Sequence, residues 1–400
     1  MSGQSAVSFE SSVRCLNVLH VISGLGAGGA ESMLYRLIKE NQEQGMHSAV
    51  ICLGEESFVA DKIRALNVEI LNLELHKHSI FNLPNLRRII QISHRVNPDV
   101  VQGWMYHGNC VATVIKLVLA RKSKLFWNIR QTVQSLSNEK RLTRWVIRIN
   151  SLLSRWTDCI IYNSTHSRIQ HESFGFNKSR GSIVYNGISL EEYCPSASIS
   201  SRIKADLGIG ETAVVIGHVA RYHPKKDHLS LIKTLADPGF ENMEIVFLLV
   251  GKNVDSNNRD LQHLLLDMGL NEKIMLLGER EDVPNLLKCM DILISSSAWG
   301  EGFPNVLIEA MATEVYCIAT NVGESETILA DCGSIVPPKN VPALTRALLT
   351  GITLPAQYRE SIGRRARENV RRHYSISAIG HRYRQLYMHA IGGDKARIDC

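Results

Sequence analysis

Short apolar runs alternate with helix-period segments along almost the whole chain, and this rhythm restricts the fold more than any other feature. In the first half the runs are Leu16–Ile22, Ala49–Leu53, Glu69–Leu73, Val100–Trp104, Leu125–Ile129, Cys159–Asn163 and Ile183–Tyr185. In the second half they are Val214–Val219, Ile245–Val250, Ile274–Leu277, Ile292–Ile294 and Cys317–Thr320. Strands and helices in turn predict an α/β chain of parallel sheets with helices on both faces, because a parallel crossover needs a helix-length connection. A length of 400 residues exceeds what one core comfortably holds. Cys194–Ser201, rich in Ser and Pro, reads as a linker, so two domains are expected, 15–193 and 194–374, each with its own sheet.

Composition removes several classes. Apolar residues make up 44% and charged residues 21%, the balance of an ordinary globular protein. No apolar run approaches the roughly 20 residues that span a bilayer; Val111–Ala120 is short and carries Lys116. Residues 1–14 lack a basic start and contain Glu10, which reads as a loose leader rather than a signal peptide, and the glycine-rich stretch 391–400 reads as a tail. Nine cysteines without a Cys-x-x-Cys spacing signal neither a zinc site nor a disulfide framework and fit reduced thiols in a cytoplasm. The formal charge of +6 points only weakly to an anionic partner, and nucleic acid is not expected as one.

The densest chemistry lies in Ser295–Thr313. After the Ile292–Ile294 run comes Trp299-Gly300-Glu301-Gly302-Phe303-Pro304, and then a helical pattern in which Val306, Ile308, Ala310 and Met311 can face a core. Gly302 permits a close approach of backbone to ligand, and Pro304 lacks an N–H that a first turn would leave unpaired. The amides of Asn305 and Val306 are then donors at a positive helix end, suited to a phosphate. Glu301 and Glu309 flank that anion site. A diphosphate would repel both, so hydroxyls of a polyhydroxylated ligand on either side are their natural partners.

The spacing Glu301, seven residues, Glu309, within Ser-Ala-Trp-Gly-Glu-Gly-Phe-Pro-Asn-Val-Leu-Ile-Glu-Ala-Met-Ala, resembles the donor-sugar motif of the retaining glycosyltransferases of family 4. The resemblance implies the GT-B fold, two facing Rossmann-like domains. The first, 15–193, would take the acceptor; the second, 194–374, would hold the nucleotide sugar; a helix over 375–390 would cross back to the first. It gives Glu301 to the transferred sugar and Glu309 to the ribose.

Other stretches carry parts of the same resemblance. The first strand ends at Ser23-Gly24-Leu25-Gly26-Ala27-Gly28-Gly29-Ala30-Glu31, before a helix expected from Ser32 to Glu43. Gly24, Gly26 and Gly29 also satisfy a dinucleotide fingerprint, with Glu55 a loose match to its acidic residue, so an NAD-dependent oxidoreductase is a rival reading. Family 4 chains likewise end this loop in Gly-Gly-Ala-Glu, matched by Gly28 and Gly29. Beyond the fourth strand stands His107, where ligands of such sheets bind and where the resemblance puts an active-site histidine. Trp127-Asn128-Ile129-Arg130 resembles an acceptor-side segment, without a role for Arg130. In the second half, Ala220-Arg221-Tyr222-His223-Pro224-Lys225-Lys226-Asp227 offers Arg221 and Lys226 at a strand's carboxyl edge, where two cations can neutralise a departing diphosphate. It is similar to a Gly-Arg-Leu-x-Pro-x-Lys-Gly loop with Ala220 and Asp227 in place of glycines. Leu277–Pro284 matches the family pattern too, whereas Glu314 and Tyr316 stand where relatives carry Gly and Pro. A left-handed residue at 314 costs on the order of 1 kcal/mol as Glu rather than Gly.

Lys140–Thr157 forms one amphipathic pattern. Leu142, Trp145, Val146, Ile149, Leu152, Leu153 and Trp156 recur on one side, and Arg141, Arg144, Arg148 and Arg155 share the other. A core helix with a solvated basic face is the plainer reading; docking on an anionic membrane through Leu142–Trp156 is the sharper one. The expected function is metal-independent, retaining transfer of a sugar from a nucleotide sugar, with UDP favoured over GDP, to a glycan or lipid-linked acceptor in surface polysaccharide or glycoconjugate synthesis. The enzyme would be cytoplasmic or peripheral on the inner face of the membrane, without a cofactor. Catalytic roles fall to His107 and Glu301, and donor binding to Gly28, Gly29, Arg221, Lys226, Gly302, Phe303, Asn305, Val306 and Glu309. No Asp-x-Asp occurs to hold a metal. A catalytically silent sugar-nucleotide binder or a nucleotide-sugar epimerase could carry the same two-domain pattern.

Overall fold

A computed structural model describes residues 16–26, 28–75, 83–133, 140–270 and 273–392. Two parallel sheets organise them. The first contains β1 (Asn17–Ile22), β2 (His47–Cys52), β3 (Glu69–Asn72), β4 (Val100–Trp104), β5 (Lys124–Ile129), β6 (Cys159–Tyr162) and β7 (Gly181–Ile183) in the order β3-β2-β1-β4-β5-β6-β7. The second contains β8 (Val214–Val219), β9 (Ile245–Val250), β10 (Ile274–Leu276), β11 (Ile292–Ser295), β12 (Tyr316–Thr320) and β13 (Gly333–Val336) in the order β10-β9-β8-β11-β12-β13. Each sheet reverses its winding once, between β1 and β4 and between β8 and β11. Ligands of doubly wound sheets bind beyond the carboxyl ends at such a point. The loops there are the glycine loop and the turn before His107 in the first domain, and the Arg221–Lys226 and Ser296–Gly302 segments in the second.

Apolar cores line both faces of each sheet. The chain crosses between domains at two adjacent places: the Ile188 amide donates to Tyr374 O at 3.0 Å, and the Ile376 amide donates to Ile188 O at 2.8 Å. The final helix, Ile376–Gly392, then lies on the first domain, where Ile379, Tyr383 and Tyr387 are fully buried among Val18, Trp104 and Phe126. Their spacing of four puts all three on one helix face. Burying each of these side chains contributes roughly 1.5–3 kcal/mol.

Several sequence expectations change. The first helix begins at Gly29 rather than Ser32, with Gly28 as its N-cap, so the glycine loop delivers a helix N-terminus directly at the sheet edge. The final helix reaches Gly392 and so takes up the start of the expected tail; residues 1–14 and 393–400 lie outside the described residues. The expected linker Cys194–Ser201 contains the start of a helix, Ala197–Asp206, and β13 adds a strand beyond the apolar runs. The largest change concerns the basic segment. Its α-helix spans Arg141–Leu153, followed by a 3₁₀ turn at Ser154–Trp156. Its buried residues are Ile147, Asn150 and Ser154, while Leu142 is 72%, Trp145 62% and Trp156 46% exposed. The tryptophans are therefore not core, and the arginines do not lie opposite them. Arg148 sits over the Trp145 ring at 5.8 Å and Arg155 over Trp156 at 5.8 Å. Periodicity identifies a stripe, but the helix buries the flank beside it.

Candidate active site

The second domain's wall of the cleft is built from two loops tied to each other. Ser296 Oγ donates to Lys226 O at 2.8 Å, and the Ala298 amide donates to Lys225 O at 2.8 Å. These bonds bring the Lys226 ammonium onto the Glu301 carboxylate, which also accepts from Ser297 Oγ at 2.8 Å. Behind this loop Gly323 has φ +64°, and a Cβ there would lie 2.6 Å from Glu301 O and 2.8 Å from Gly302 O. Only glycine fits that approach. Asp227 and Glu314 both adopt left-handed backbone, with φ of +50° and +64°. Asp227 offsets part of that strain by accepting from the Ser230 amide at 3.2 Å, which caps the helix His228–Leu235.

The Asn305–Ala312 helix starts beside Glu301 with Pro304 as its N-cap. The amides of Asn305 and Val306, in its first turn, have no acceptor within the helix. Glu309, one turn on, is half-buried. Burial raises its pKa, and Arg36 of the first domain, 4.0 Å away, opposes that rise. Each carboxylate of the pair thus faces a cation, Lys226 from its own domain and Arg36 from the other.

The first domain closes against this wall at several points. Thr132 Oγ1 donates to Gly300 O at 3.3 Å, and Asn186 Nδ2 donates to Asn305 Oδ1 at 2.7 Å. The Thr165 amide donates to the buried Glu324 carboxylate at 2.6 Å, so an acid of the second domain caps a helix of the first. Gly29 faces Asn305: a Cβ on it would lie 3.4 Å from Asn305 Nδ2. The Glu31 carboxyl folds back over the Gly28 end of its own helix, with its pKa raised by burial, so the first helix's dipole already has a carboxylate against it. A phosphate is better served by the Asn305 helix.

Two family models match, one described as Glycosyltransferase Family 4 over residues 27–192 and one as Glycosyl transferases group 1 over residues 213–353, so that between them they span both domains. The chain belongs to the group 1, family 4 glycosyltransferases. This transferase is 23% identical over 387 residues to N-acetyl-alpha-D-glucosaminyl L-malate synthase of Bacillus anthracis, covering 94% of this chain and 96% of that one. It is 29% identical over 173 residues, 42% of this chain and 44% of the other, to the UDP-Gal:alpha-D-GlcNAc-diphosphoundecaprenol alpha-1,3-galactosyltransferase of Escherichia coli. HepE of Anabaena in complex with UDP has the same fold, with a TM-score of 0.79, 20% identity and coverage of 92% of this chain and 99% of that one. The architecture is GT-B, and the match to the family 4 model begins at residue 27, within the glycine loop.

Within this transferase, Gly29, Lys226, Glu301, Gly302, Asn305 and Glu309 gather at the cleft. Val306 is half-exposed in the first turn beside them, and Leu307 rather than Val306 is fully buried. Phe303 does not offer its ring to a ligand. It stacks on Tyr185 at 5.4 Å and packs against Tyr374 at 5.6 Å, which fixes the loop to the hinge. Arg221 is exposed at the end of β8, and His107 is exposed in the first turn of the Met105–Val118 helix. Met105, just ahead of it, has φ +63°. A left-handed methionine is a strained arrangement of the kind found at functional sites, and no sequence motif marks it. Sequence reasoning also misses Arg36, Asn186 and Glu324, whose partners lie in the other domain. Among the described residues, no helix is long and apolar enough to cross a membrane, and no group of three or more His, Cys, Asp or Glu could hold a metal ion.

Proposed function

We propose that this glycosyltransferase moves a sugar from a nucleoside diphosphate sugar, UDP-linked by preference, to a hydroxyl of a lipid-linked glycan, with retention at the anomeric carbon and with no cofactor or metal. The observation that carries this reading is the Lys226–Glu301 pair at the open N-terminus of the Asn305–Ala312 helix. It brings a cation, free amides and a hydroxyl acceptor within one sugar diphosphate's length. On donor binding Lys226 turns to the diphosphate, joined by Arg221 and the first-turn amides, and Glu301 is released to a sugar hydroxyl. Glu309 takes the ribose hydroxyls in place of Arg36. The bond from the anomeric carbon to the diphosphate oxygen breaks. The acceptor oxygen then bonds to that carbon on the same face, its proton passing to the departing phosphate oxygen. His107 lies on the acceptor side, at the transferred sugar. UDP in HepE and the UDP-sugar in the name of the Escherichia coli relative support the base; that relative's diphosphoundecaprenol acceptor supports the lipid, and with it a role in surface polysaccharide synthesis.

Leu142, Trp145, Ile149, Leu152 and Trp156 give this enzyme an exposed apolar surface, and Arg148 and Arg155 lie on its tryptophans. Beside it the Met105–Val118 helix exposes Val114 and Val118. A hollow of about 220 Å³ lined by Arg141, Arg144, Trp145 and Arg148 opens on the same side. Apolar rings with guanidinium groups laid over them suit an anionic lipid surface, which supports the reading of a peripheral enzyme on the cytoplasmic face of a membrane. The direct test is thermal stabilisation by a panel of uridine and guanosine sugar nucleotides in the presence of chelator. Saturation by one donor at a hundred times its dissociation constant adds about 2.7 kcal/mol. No stabilisation by any member of the panel sinks the donor assignment.

A further inference from the structure

Arg130 ends β5 and makes an unusual set of bonds. Nη1 donates to Val184 O at 3.0 Å and to Asn186 Oδ1 at 2.9 Å; Nη2 donates to Asn128 Oδ1 at 3.1 Å and to the Tyr383 hydroxyl. The guanidinium also lies over the rings of Trp104 at 5.7 Å and Tyr383 at 5.8 Å. Among the described residues no carboxylate pairs with it. Its four Nη protons are all engaged, and its Nε–H is buried without a partner, so the residue acts through the groups it holds.

What it does is fix direction. A guanidinium has donors and no acceptor, so the atom of Asn186 that faces it must be the carbonyl oxygen. Asn186 Nδ2 is thereby turned to Asn305, to which it donates at 2.7 Å, and this makes the atom of Asn305 that faces Asn186 the oxygen as well. Asn305 Nδ2 is left pointing at Gly29, into the cleft between the domains. Every bond in the series runs the same way, from a permanently charged donor to an N–H in the cleft.

We infer that Asn305 Nδ2 is a further hydrogen-bond donor to the donor diphosphate, and that Arg130 and Asn186 are positioning residues that set its orientation across the domain boundary. The inference rests on the donor site proposed above. Because the relay begins on Arg130, which also holds Tyr383 of the final helix, and ends on the second domain, it is complete only when the domains are closed. Closure therefore completes the phosphate site.

Asn186→Asp tests it. The aspartate keeps the size of the side chain and accepts from Arg130, but it cannot donate to Asn305, whose amide must then flip and present its oxygen to the phosphate. Calorimetric titration with UDP and with inorganic pyrophosphate is expected to show affinity lowered tenfold or more, with the melting temperature unchanged or raised. Asn305→Ala removes the reporter, so adding Asn186→Asp to it should cost less than a further threefold. Asn305→Asp still accepts from Asn186 and should weaken binding more than Asn305→Ala; this keeps the test open if Asn186→Asp folds poorly. Equal binding by Asn186→Asp and wild type overturns the relay, as does an equal loss in the Asn305→Ala background, which would be plain charge repulsion. Failure of the wild type to bind either probe overturns the donor site itself, and the relay with it.

Discussion

The two walls of the cleft stand on the same doubly wound sheet, yet they hold their site residues by different means. In the second domain Lys226 and Glu301 are arranged by short loops bonded to each other. In the first domain Arg130 and Asn186 are arranged by the hinge, the final helix and the opposite domain. The Lys226–Glu301 pair can form within one domain, whereas the orientation of Asn305 is finished only across the domain boundary. Substitutions of Lys226 or Glu301 should therefore damage chemistry outright, and those of Arg130 or Asn186 should act through donor affinity.

The largest effect is expected from Lys226→Ala, which removes the cation proposed for the diphosphate and leaves Glu301 without its partner. Loss of kcat/KM should be about 10²–10³-fold, as for removal of a preorganised charge-stabilising group; steady-state kinetics at saturating acceptor measure it. Glu301→Gln should lower kcat more than it raises KM, by roughly 10–100-fold for a hydrogen bond to a charged group. If either variant changed only the donor KM, the division between the walls would be wrong.

Acid provides a second comparison, because each domain buries a pair of neutral histidines. Burial holds His20 and His171 of the first domain at about 3 and about 4, and His218 and His228 of the second at about 4 and about 3. Unfolded histidine titrates near 6.5. Below that pH the unfolded chain binds the extra protons, so stability is fully present above about 6.5 and is lost as pH falls toward the folded values. Each group contributes about 1.4 kcal/mol per pH unit in that window. Urea unfolding at pH 7 and pH 5 should show this drop, and a His218→Asn, His228→Asn double variant should lose less on acidification. An identical drop in that variant would mean that these two rings do not report on the second domain's stability.

How much of this is legible in the sequence follows the same division. The Glu301–Glu309 spacing, the Arg221 and Lys226 loop and the Asn305 helix start are local patterns, readable because neighbours in sequence are neighbours in the site. Asn186 meets Asn305 across 119 residues and Thr165 meets Glu324 across 159, and no periodicity encodes such a meeting. The helices show the same limit. Tyr383 and Tyr387 repeat at helical spacing and are buried; Trp145 and Trp156 lie in an equally regular stripe and are exposed. Spacing identifies a face but not what covers it. β13 escapes notice because Gly333-Ser334-Ile335-Val336 is short and begins with two residues poor in strand propensity. The first helix starts ahead of its sequence pattern because glycine is a poor helix former.

Smaller effects sharpen the comparison. Glu309→Ala should raise the donor KM about tenfold with kcat nearly kept, because the ribose is remote from the reacting carbon. The smallest effect on chemistry should come from changing Arg141, Arg144 and Arg148 to Gln: turnover of a water-soluble acceptor unchanged, but sedimentation with anionic vesicles reduced, since each basic residue near such a surface contributes about 1 kcal/mol. High salt should erase the difference. Equal vesicle binding by wild type and variant would make the exposed stripe something other than a lipid contact.

One sugar nucleotide should react at the meeting of Lys226, Glu301 and the Asn305 helix. The most direct measurement is transfer itself. Wild type and Lys226→Ala are incubated with UDP-sugars and a short-chain lipid diphosphate sugar acceptor in excess chelator, and the product's anomeric configuration is read by NMR. The wild type should release UDP and give a product of retained configuration, and Lys226→Ala should be nearly silent. Inverted configuration, reversible loss of transfer on chelation, or equal turnover by the two proteins would contradict it.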